Sequence, residues 1–164
     1  MHLSRTFFAA LATLAAVLLA APAVATATTT TPFKSEITAQ ASISETPVPG
    51  VLTLRGSGVG HASHLGKVTL STTETLDFTA SPGSLVIRDG QMVMVAANGD
   101  ELRWAYEGIG SLPDGQGSSA FTGTFVITGG TGRFTDAAGS GTFQGTGNAV
   151  TGLATVSYQG TIAY

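Results

Sequence analysis

SLVIRDGQMVMVAANGDELRWAYE, residues Ser84–Glu107, is the stretch whose reading decides the fold. Apolar and polar residues alternate through it with the period of two that belongs to β-strands. Asp89-Gly90 and Asn98-Gly99 interrupt the alternation twice. Both dipeptides are preferred two-residue hairpin turns, because both central positions take positive φ. The stretch therefore predicts a three-stranded meander: Ser84 to Arg88, Gln91 to Ala97, and Asp100 to Glu107. In the last of these, Leu102, Trp104 and Tyr106 face one way and Glu101, Arg103, Ala105 and Glu107 the other. The middle strand is apolar on both faces, Met92 and Met94 against Val93 and Val95, which predicts that a loop, a partner or another subunit covers its outer side.

The same period runs outward in both directions. Upstream, Phe33, Ile37, Ala39, Ala41 and Ile43 share a face before Pro47, Pro49 and Gly50 end the strand. Val51 to Gly60 and Val68 to Phe78 follow as further strands. Downstream of the loop 110–118, Phe121, Phe125 and Ile127 alternate with threonines. Gly141-Thr142-Phe143 then echoes Gly123-Thr124-Phe125 at a hairpin-like interval. The chain ends on a long alternating strand, Val150 to Tyr164. No segment after the leader carries helical periodicity with caps. Eight or nine strands joined by tight turns indicate an all-β barrel or sandwich. Closure is the preferred reading, since glycine-rich strands with few charged gatekeepers make hazardous open edges. The expectation is a single antiparallel β-barrel of about eight strands.

Composition narrows the class further. Residues 1–27 read as a signal peptide: Arg5, an apolar run from Phe7 to Ala20, then small residues with Ala-x-Ala cleavage options. Residues 28–32 are expected to be a disordered spacer and 33–164 the barrel domain, secreted or periplasmic. There is no cysteine, which removes disulfides and thiolate metal sites. Charged residues make up 10% of the chain, and the six cations after the leader are scattered, so no phosphate-tracking patch exists for nucleic acid. The phosphate-loop and dinucleotide patterns are missing as well, so no cofactor is expected.

Gly129-Gly130-Thr131-Gly132-Arg133-Phe134, after the strand Gly123 to Thr128 and before Thr135 to Thr142, resembles a segment of the dirigent proteins and the allene oxide cyclase-like barrels. Gly60-His61-Ala62-Ser63-His64-Leu65-Gly66-Lys67 is similar to a stretch of exported bacterial proteins. The usable match covers about the last third of the chain. The resemblance implies an eight-stranded antiparallel barrel, often oligomeric, with an apolar cavity. Allene oxide cyclases isomerise a fatty-acid epoxide and dirigent proteins guide coupling of phenolic radicals. The resemblance carries over no polar pocket residue.

Five residues are candidate ligand contacts. Glu74 lies in the row of Leu70, Leu76 and Phe78, so in strict register its carboxylate points toward the core, where its pKa rises. The preferred resolution of that conflict is a β-bulge that turns it outward. Trp104 and Tyr106 could line an apolar pocket, although aromatics at period two are more often plain core. His64, three residues from His61, could hydrogen-bond within a pocket. A metal site is not expected, because odd spacing on a strand sends the two imidazoles to opposite faces and further ligands are lacking. Arg133 could receive a carboxylate, or merely cap a solvated edge.

Three functions compete. The leading one is a non-catalytic barrel that binds a small apolar molecule inside, with a homo-oligomer as a second partnership. The alternative is an isomerase or cyclase using a group such as Glu74. The third is a small outer-membrane barrel, disfavoured because aromatics are 7% of the chain and several outward rows bear Thr and charge.

Overall fold

The computed structural model describes residues 29–164, and the expected signal peptide lies outside the described residues. Eight antiparallel strands follow one another in order: β1 (Thr31–Glu45), β2 (Val51–Ala62), β3 (Gly66–Asp77), β4 (Ser84–Ala96), β5 (Glu101–Ser111), β6 (Ser118–Gly130), β7 (Ala138–Asn148) and β8 (Leu153–Ala163). Each pairs with its sequence neighbours, and β8 returns to β1, so the sheet is a closed barrel without free edges. Closure was the preferred reading of the sequence, and the long final strand closes it.

Two expectations need correction. Asp89-Gly90 is not a hairpin turn. It is a bulge inside one continuous strand, where β4 carries one residue more than β3 and β5: Thr73 pairs with Gln91 but Thr75 with Arg88, and Ile87 pairs with Gly108 but Gly90 with Tyr106. Asp89 takes the positive φ (55°) that the dipeptide favours, yet the chain runs on. The expected meander is thus two long strands. Their connection at 97–100 is a real hairpin, with the Ala96 carbonyl accepting from the Gly99 N–H at 3.0 Å and Gly99 at φ 88°. The second correction is the spacer expected over 28–32. Thr31 and Pro32 already belong to β1, opposite Ile162 and Thr161.

The Gly-Thr-Phe echo acquires a physical meaning in the β6–β7 register. Gly123 lies opposite Phe143, and Phe125 opposite Gly141. A Cβ at Gly123 would stand 2.6 Å from the Phe143 ring, and one at Gly141 2.7 Å from the Phe125 ring. Each glycine makes room for the other repeat's aromatic.

The barrel interior is divided. At one end, Phe134 from a single 3-10 turn (Gly132–Phe134) packs with Phe33, Met94, Leu102 and Ile162, all essentially inaccessible. Above this plug lies an aromatic layer: Trp104 contacts Phe33, Phe125 and Tyr158 with ring centroids 5.3–5.9 Å apart, and Phe143 continues it toward Tyr106. Such pairs each add roughly 0.5–1.5 kcal/mol beyond their area burial. The Trp104 indole N–H has no partner among the described residues. On the outer wall, Val93 and Val95, expected to be covered, are half-buried among cross-strand neighbours, Ser71 and Arg103 beside Val93, Thr69 and Glu101 beside Val95.

Candidate functional site

The other end of the barrel is hollow. It forms a cavity of about 310 Å³ beneath the turns at 46–50, 78–83, 112–117 and 149–152. The walls are aliphatic (Ile37, Leu54, Leu76, Ile87, Val156), and Tyr106, Phe143 and Tyr158 form the floor. Eight strands enclose just enough space for side chains or one small ligand. Here small residues decide in favour of space: Ala39, Ala41, Gly56, Gly147 and Ala154 line the wall where larger side chains would have filled it.

Glu74 projects into this cavity, contrary to the outward turn preferred from the sequence. A bulge is present, but its extra residue sits on β4. The inward row of β3 therefore keeps its phase through Leu70, Thr72, Glu74 and Leu76. The Tyr106 hydroxyl donates to Glu74 Oε2 at 2.6 Å and stands 2.5 Å from Thr72 Oγ1, and the Thr72 hydroxyl donates to the Gln91 carbonyl at 3.0 Å. Burial pushes the Glu74 carboxyl above its ordinary value of 4.5, and the Tyr106 hydrogen bond opposes that rise.

Proton supply fixes how this chain can be arranged. If Thr72 gives its proton to Gln91, its oxygen receives the Tyr106 proton, and the contact at Glu74 then needs a proton from the carboxyl. The protonated acid thus completes a one-way relay, Glu74 to Tyr106 to Thr72 to a backbone carbonyl. With Glu74 ionised the Tyr106 hydroxyl donates to Oε2, the direction given above, and the Thr72 hydroxyl turns from Gln91 to donate to Tyr106. In both states Oε1 remains an acceptor without a partner among the described residues. Across the floor, the Tyr158 hydroxyl likewise has no hydrogen-bond partner among the described residues. Its pKa is raised first by burial and then by the charge of Glu74. Tyr106 is raised for the same two reasons, so both phenols stay neutral.

The remaining sequence candidates do not meet here. Trp104 lies under the floor as core. His64 occupies the β2–β3 turn at the closed end, at φ 69°, with Nε2 at 2.9 Å from the Pro32 carbonyl and Nδ1 at 3.2 Å from the Tyr164 hydroxyl. Arg133 donates to the His64 carbonyl and lies 4.8 Å from the Phe134 ring centroid. The expectation that His64 and Arg133 contact a ligand is corrected for the cavity: both fasten the plug at the opposite end. His61 is exposed on the outer wall, and among the described residues no three His, Cys, Asp or Glu could hold a metal. A wider depression on that wall, between Glu36, Lys67, Val95 and Gln144, is shallow, and those four residues are at least partly exposed. Sequence reasoning missed Tyr158 and Thr72. Tyr158 was legible as the one polar aromatic in the inward row of β8. No family model, curated protein or solved structure matches the chain.

Proposed function

We propose that the chain is an exported, secreted or periplasmic, β-barrel that takes a small and largely apolar molecule into the hollow half of its interior. One observation carries the reading: a cavity of about 310 Å³, apolar on its walls, in which Glu74, Tyr106 and Tyr158 converge. That volume is at the low end of the range for ligand sites, roughly 300–1,000 Å³, and a few placed polar groups in apolar walls are their usual pattern. The resemblance of Gly129–Phe134 to the allene oxide cyclase-like and dirigent-like barrels points the same way. Lys34, Glu36, Arg55, Lys67, Arg103 and Glu107 stand exposed on the outer wall, which favours a barrel in water over one in lipid. Native mass spectrometry of the purified protein is the test. A retained apolar molecule, released on denaturation, is expected. A protein that stays empty and takes up no added apolar compound would count against the reading.

A second reading has its own observation. Glu74 combines a raised pKa with a directed hydrogen bond to Tyr106, the environment of a proton-transfer group. An isomerase or cyclase would use that carboxyl on the bound molecule and return a product of unchanged mass but altered chromatographic retention. Binding alone returns the molecule unchanged after long incubation.

A further inference from the structure

We infer that the occupant of the cavity is a neutral apolar molecule carrying a hydroxyl group, gripped between Glu74 Oε1 and the Tyr158 hydroxyl, and that carboxylates are rejected. The inference rests on the binding reading above and specifies its chemistry.

The polar groups left unpaired set the chemistry of the ligand. Tyr106 and Thr72 use their polar atoms on one another, on Glu74 and on Gln91. Besides the Ser119 hydroxyl, which lies toward the mouth opposite Gly147, two side-chain groups of the lining have no partner among the described residues: the second carboxyl oxygen of Glu74 on β3, which can only accept, and the phenol of Tyr158 on β8, which can donate. A hydroxyl is the small group that donates to the first while accepting from the second. Leaving both sites empty in a mostly apolar space is costly, so the ligand that satisfies them is favoured.

The sign of the cavity decides against anions. Among the described residues, lysine, arginine and histidine are absent from its lining, and Glu74 is its one acidic residue. A carboxylate brought here would lose its hydration, find no counter-charge and lie beside a group that is itself negative when ionised. Arg133, the cation the sequence offered for a carboxylate, is held at the far end.

The experiment compares 1-decanol, decane and decanoate, which share one carbon chain, by titration calorimetry at neutral pH. The purified protein is compared with Tyr158→Phe, Glu74→Leu and Glu74→Gln. The parent is expected to bind decanol, and decanoate on the order of a hundredfold more weakly. Tyr158→Phe and Glu74→Leu should each weaken decanol about threefold to tenfold and leave decane unaffected. Glu74→Gln should restore most of the loss, because its carbonyl still accepts while its amide donates to Tyr106. Tyr158→Phe conserves volume, so the test does not depend on Glu74→Leu folding. Decanoate binding as tightly as decanol, or Tyr158→Phe affecting decanol and decane alike, would overturn the polar grip and leave the binding reading standing. A parent protein that binds none of the three overturns both.

Discussion

Burial and hydrogen bonding pull Glu74 in opposite directions, and burial is the larger influence. The consequence for stability has a definite sign. A carboxyl whose folded pKa lies above its unfolded value of 4.5 is protonated in both states well below that value and contributes nothing there. As pH rises past it, the unfolded chain gives up the proton first, so the folded state loses stability until its own pKa is passed. Glu74→Gln lacks this titration. Its melting temperature minus that of the parent is therefore expected to widen as pH is raised above about 4.5 and to level off only once the raised folded-state pKa is passed. Calorimetric melts of both proteins across that range check it. A difference that narrows with rising pH would mean that the carboxyl is stabilised as the anion, and the relay drawn above would be wrong.

At the scale of elements, the bulge in β4 separates what was legible from what was not. Alternation, the turn dipeptides and the long final strand were enough to read eight or nine strands and to prefer a closed barrel. They could not tell a hairpin turn from a bulge at Asp89-Gly90, because the same positive φ serves both. Strand length is the missing discriminator: β3 and β5 are 12 and 11 residues long, and a five-residue strand between them would leave much of both ladders unpaired. The error reached the site, since a bulge on β3 rather than β4 would have turned Glu74 outward. Tyr106 was found as an inward aromatic, but its union with Glu74 and Thr72 depends on cross-strand register, which no single strand encodes. Gly90 tests this arrangement. A Cβ there would sit 2.5 Å from the Tyr106 ring, so Gly90→Ala is expected to displace the ring and cost about 1–3 kcal/mol in denaturant unfolding. Gly147 provides the opposite case. A Cβ there meets nothing closer than Phe121 at 3.5 Å, so Gly147→Val should gain up to about 1 kcal/mol from strand propensity. It should also lower decanol uptake by occupying the cavity. Equal behaviour of the two variants would argue against the division into tight and open regions.

For the whole molecule, that division means that the parts securing the fold and the parts offering a cavity occupy different ends of one barrel. The closed end is over-determined: Phe134 is fully buried in the core, Arg133 clamps the β2–β3 turn, and Tyr164 and His64 join the last residue of the chain to that same turn. At the open end, Val48, Leu112, Val150 and Leu153 leave apolar side chains exposed around the mouth. Stability and uptake should therefore be separable. Phe134→Ala removes an inaccessible aromatic far from the cavity and is expected to cost about 3–5 kcal/mol of unfolding free energy. At a temperature where the variant is still folded, its decanol affinity should match the parent's within about twofold, since the Tyr106–Phe143–Tyr158 floor and the aromatic layer beneath it separate the two regions. Denaturant unfolding followed by titration of the same sample measures both quantities. If the affinity falls in step with stability, plug and cavity form one cooperative unit, and the floor does not insulate them.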